Sequence, residues 1–215
     1  MINYVQLTFI PGSAGNFFGR TLNLLSDCYG FLDPDRSIPT SLTEKFQQFS
    51  YLDVADKTFD QRNWVDFERK LVHHSEKIDM QDLPKDSYSI WLDHYFFDQG
   101  YNGNQKTYKI AIDPTNAFEW AILNAFYKNS YQDVKWLIKL QEQIKRSDVL
   151  VIDLAKLIDN VNDFIVQWHR AVNFIDKKAT LEEEEAAIKL WHEWQRTVLQ
   201  PKDFVTFKTR IGWNL

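Results

Sequence analysis

The stretch Val5 to Leu25, VQLTFIPGSAGNFFGRTLNLL, carries an apolar, β-rich run through a glycine-containing turn straight into a helical pattern. Val5, Leu7, Phe9 and Ile10 have the density of a buried strand, and Pro11, Gly12 and Gly15 interrupt it. Phe17, Phe18, Leu22 and Leu25 then recur at helical spacing. A loop that feeds the first turn of a helix leaves backbone N–H groups and the positive end of the helix dipole directed at one spot, where an anion can sit. Gly12 to Phe17 therefore reads as a phosphate loop, and the expected ligand chemistry is phosphate or sulfate. The lysine of an ATP-binding loop is absent. That loop ends in Gly-Lys-Ser/Thr, and here the fifth residue after Gly12 is Phe17.

The rest of the chain supports a globular α/β domain around that unit. Its 215 residues suit a single domain spanning 1–215 and suffice to bury roughly 70% of the unfolded surface. Eight Trp, nine Tyr and sixteen Phe supply a large aromatic core, and no segment reaches the ~20 apolar residues of a membrane span. The N-terminus has no basic region followed by a small-residue cleavage site, and the single Cys28 fits a reducing compartment, so the expectation is a cytoplasmic protein without membrane association. A net charge of −5 argues against a duplex nucleic acid as partner, because such partners require a basic face. Lys135, Lys139, Lys145 and Arg146 cluster on one amphipathic segment and read as a solvated helix face.

Strand and helix signals alternate along the chain. Residues 27 to 40 read as loop, Ser41 with Glu44 caps a helix to about Phe49, and Asn63 to Val72 gives another helical pattern. Ser87 to His94 and Lys106 to Asp113 read as the second and third strands, and DVLVID at 148 to 153 as a strand buried on both faces. Asn116 with Glu119, Ser130 with Asp133, Asn160 with Asp163 and Thr180 with Glu183 mark helix starts. In the last helix Ala187, Leu190, Trp191, Trp194 and Val198 form one stripe and read as core. The pattern predicts a parallel sheet with helices on both faces, in which ligands bind at the carboxyl ends of the strands.

That rule selects the first loop, Asp93 and His94, Asp113, and Asp153. His94 alone among the five histidines follows a predicted strand directly, where an imidazole near an anion loop can act as a general base. His73, His74, His169 and His192 read as surface or packing residues. No HExxH spacing occurs and one cysteine cannot build a thiolate cage, so no metal is expected. VLVID also has the form of a Walker B strand, but Asp153 reads as the residue that fixes the turn after its strand.

Three segments in fixed order resemble the PAPS-dependent sulfotransferases, which share the P-loop nucleoside-phosphate kinase fold. Ile10-Pro11-Gly12-Ser13-Ala14-Gly15-Asn16-Phe17 resembles their YPKSGTTW loop, keeping Pro11, Ser13 and an aromatic at Phe17. Leu92-Asp93-His94-Tyr95-Phe96 resembles the KTHLP strand end, with His94 in register with the catalytic base. Ile112-Asp113-Pro114-Thr115-Asn116 resembles RNPKD, and Val151-Ile152-Asp153-Leu154 the later YEDL. The departures are specific: the loop lysine is Gly12, the RNP arginine is Ile112, and the serine of that segment is Trp120. No RKGxxG motif is evident near the C-terminus, where Lys208, Arg210 and Gly212 form a loose basic cluster.

The resemblance implies a three-layer sulfotransferase-like architecture and a transferase that moves a sulfuryl group from PAPS to a small-molecule or glycan hydroxyl. His94 would be catalytic, and Gly12, Ser13, Ala14, Gly15, Asn16, Phe17 and Arg20 would hold the cofactor; Arg20, one turn into the helix, reads equally as a substitute cation or as a residue pointing to solvent. Two alternatives stay open: a catalytically degenerate anion-binding or structural protein of the same fold, and a nucleotide kinase or NTPase, against which the missing loop lysine weighs.

Overall fold

The computed structural model describes residues 2–30, 41–43, 83–93, 106–127 and 134–198. The expected helices at 41–49 and 63–72 therefore lie almost wholly outside the described residues, as do His94 and the 208–212 cluster. Five parallel strands form one sheet, β1 (Asn3–Thr8), β2 (Cys28–Tyr29), β3 (Tyr88–Asp93), β4 (Thr107–Asp113) and β5 (Val149–Asp153), in the order β2-β3-β1-β4-β5. The helices are α1 (Gly15–Asn23), α2 (Phe118–Tyr127), α3 (Val134–Gln143), α4 (Leu154–Asp159), α5 (Val161–Phe174) and α6 (Leu181–Thr197), and a 3-10 turn over Thr115–Ala117 precedes α2. The α/β class and the parallel sheet expected from the sequence are what the chain forms.

Strand alternation sorts the two faces. Val5, Leu7, Tyr108, Ile110 and Ile112 project into one large core with α1, α5 and α6 residues such as Phe17, Phe18, Phe164, Trp168 and Trp194. Ile10 and Ala111 point the other way and pack with Leu140 of α3. Phe17 lies flat on Trp194 with centroids 4.1 Å apart and tilts against Phe164 at 5.5 Å. Each such ring fully removed from water contributes roughly 1.5–3 kcal/mol, so this stack ties α1 to α5 and α6.

The helix starts follow local chemistry. Asn160 Oδ1 accepts from the Asp163 N–H at 3.0 Å, and Asp153 Oδ1 from the Ala155 N–H at 3.0 Å. Thr180 and Glu183 form a reciprocal capping box. The α6 stripe is buried at Ala187, Leu190, Trp191 and Trp194, as its spacing requires, and Val198, just past the helix end, is buried too. The Asn116–Glu119 pair behaves differently: Asp113 Oδ1 accepts from both the N–H and the hydroxyl of Thr115, and Asn116 donates instead to Asp153 Oδ2 at 3.1 Å.

Three sequence expectations need correction. Cys28–Tyr29 is a short strand rather than loop, bonded beside Tyr88 and Ser89; two residues are too few for a pattern to show. β1 leaves the ladder at Thr8, and the apolar Phe9 and Ile10 are buried in the turn that follows. DVLVID is only partly buried, with Leu150 and Ile152 on the large core and Val149 on the smaller one. Among the described residues β5 pairs with β4 alone, and only Ile152 of it is fully buried.

Candidate functional site

The loop between β1 and α1 lies where the connections of the sheet diverge. β1 sits between β3 and β4, its own helix α1 packs on one face, and α3, which follows β4, packs on the other. Open parallel sheets carry their ligand crevice at such a switch point.

The loop is held by short-range bonds. The Ser13 N–H and hydroxyl both donate to Ile10 O, at 3.1 and 2.5 Å, which closes the turn and buries the serine side chain. Ala14 adopts the left-handed conformation, φ 62° and ψ 15°, and α1 begins after it without a side-chain cap among the described residues. The first intrahelical bond runs from the Phe18 N–H to Ala14 O at 2.9 Å, so the N–H groups of Gly15, Asn16 and Phe17 precede it. No acidic residue lies in that first turn. Two glycines are dictated by contact: a Cβ on Gly15 would fall 2.0 Å from the Phe9 ring, and one on Gly12 would fall 2.1 Å from Ala121 O of α2. Gly12 also has φ 84°, which L residues rarely adopt.

The position that resembles the family's loop lysine is therefore the seat of α2. Ala121 and Ala125 lie against it, and Asn124 Nδ2 donates to Gly12 O at 3.0 Å. Ile112, at the place of the family's arginine, is fully buried in the sheet core, and Trp120, at the place of its serine, meets Trp194 edge-on at 6.2 Å. Arg20 is 1% exposed, so this guanidinium is enclosed within the fold and does not point to solvent.

Beside the loop, the ends of β4 and β5 are stitched together. Gln141 Nε2 donates to Asp113 Oδ1 at 3.3 Å and to Thr115 Oγ1 at 2.9 Å, while Gln167 Oε1 accepts from the Asp153 N–H at 3.4 Å and from Arg170 at 2.7 Å. Both aspartates thus serve local structure, as expected for Asp153. On the other side of β1, Asp93 stands in register with Thr8, and the next residue in the chain is His94. The structure brings Ser13, Ala14, Gly15, Asn16 and Phe17 into one turn with Gly12.

Three buried polar atoms near this end of the sheet have no hydrogen-bond partner, Thr8 Oγ1, Asn16 Oδ1 and Asn124 Oδ1; Asn23 Nδ2 on α1, Trp168 Nε1 on α5 and Glu193 Oε2 on α6 share that condition. Burial pushes the Glu193 carboxyl up from its ordinary value, against the opposing pull of Lys189 and Arg196. No group of three or more His, Cys, Asp or Glu among the described residues could hold a metal ion. No helix among them is long and apolar enough to cross a membrane. Asn124 escaped the sequence reading; its signal is a lone amide within the apolar helix FEWAILNAFY.

No protein-family model matches the chain, and no curated protein sequence matches it.

Proposed function

We propose that the chain is a sulfotransferase-like enzyme that takes PAPS at Gly12–Phe17 and transfers its sulfuryl group to the hydroxyl of a small molecule or glycan. The observation that carries this reading is the uncapped head of α1, free of acidic residues, at the switch point of a parallel sheet. In the reaction the acceptor oxygen attacks sulfur in line, the S–O bond to the phosphate breaks, and the hydroxyl proton passes to His94. Charge grows on the sulfuryl oxygens and the departing phosphate, where the Gly15, Asn16 and Phe17 N–H groups stabilise it without reorganisation. Arg20, enclosed on α1, is the basic residue this reading assigns to the cofactor site.

A second reading, an anion-binding protein of the same fold without catalysis, is favoured by the seating of Gly12 against α2 and by Ile112 in the core. Charge-assisted bonds are worth about 1.5–3 kcal/mol each, so two lost cations separate the readings energetically. Calorimetry with adenosine 3′,5′-bisphosphate tests the PAPS reading, which predicts saturable binding; none at millimolar ligand ends it. For the enzyme, His94→Ala lowers the transfer rate ~100-fold or more with bisphosphate affinity retained, whereas the second reading predicts no transfer in either form.

A further inference from the structure

We draw no further inference here: the strongest candidate, the cavity along one face of α6 lined by Glu185, Ile188, Lys189, His192, Glu193 and Arg196, is walled by that helix alone among the described residues, and nothing in the structure shows what covers it.

Discussion

The two ends of the sheet treat polar groups in opposite ways. At the amino end, charges are paired with each other and laid on aromatic rings. Lys106 bridges to Asp176 at 2.5 Å and lies over Tyr108, whose hydroxyl donates to the same carboxylate at 2.6 Å. Lys177 reaches Asp27 at 3.3 Å and lies over Tyr88. Glu183 accepts from the Ser26 and Thr180 N–H groups while capping α6. At the carboxyl end the β4–β5 side is equally well satisfied, but around the β1–α1 loop Thr8, Asn16 and Asn124 keep buried oxygens without partners and α1 starts uncapped. Among the described residues Asn23 Nδ2 on the last turn of α1, Trp168 Nε1 on α5 and Glu193 Oε2 on α6 are also buried without partners. One end uses its polar groups to hold the fold. The other retains unmet hydrogen-bonding capacity, which is what a ligand site requires.

That contrast can be broken from either end. The largest effect is expected from Gly12→Ala, which meets a backbone oxygen and a positive φ together. It should destabilise by about 2–4 kcal/mol in urea unfolding, and an unchanged midpoint would mean that α2 does not seat on the loop. Glu183→Ala removes two bonds to a charged acceptor at the amino end and should cost about 1.5–3 kcal/mol while leaving anion binding untouched. Loss of sulfate affinity in that variant would erase the separation between the ends.

On α6, the effect of Glu193→Gln is set by pH. Because burial holds this carboxyl above its usual range, the folded protein keeps a proton that the unfolded chain has released. Its contribution is greatest below the ordinary glutamate value of about 4.3 and is lost as pH rises through the higher folded value. The Gln variant should therefore melt at a higher temperature than the wild type at neutral pH, with the difference shrinking towards about pH 4. A constant difference across that range would refute the titration. Smallest of all is Lys106→Ala, since both partners of its bridge are largely exposed, at 60% and 63%, and water screens them; its melting temperature should barely move.

Legibility followed the range of the forces. Caps such as Asn160–Asp163 and Thr180–Glu183 are settled within four residues and could be read directly, and so could the α6 stripe, because helical period fixes which residues share a face. The Asn116–Glu119 pair misled for the same reason inverted: Asn116 found a partner 37 positions away, on Asp153. DVLVID carried the composition of an interior strand, yet burial depends on what lies beside a strand, and β5 stands at the edge of the described sheet.

The sequence by itself determined the strand–turn–helix unit at the head of the chain, the alternation that makes the sheet parallel, and the places where helices begin. Only the tertiary structure decided what Gly12 is for. In the sequence it is a position without a lysine; in the fold it is the point where α2 touches the loop, with Asn124 on its carbonyl. Arg20 was equally ambiguous until α1 was packed and enclosed it. The difference is physical: propensity and capping act between near neighbours in the chain, whereas the contact that shapes this loop joins residues 112 positions apart and exists only once the core has closed.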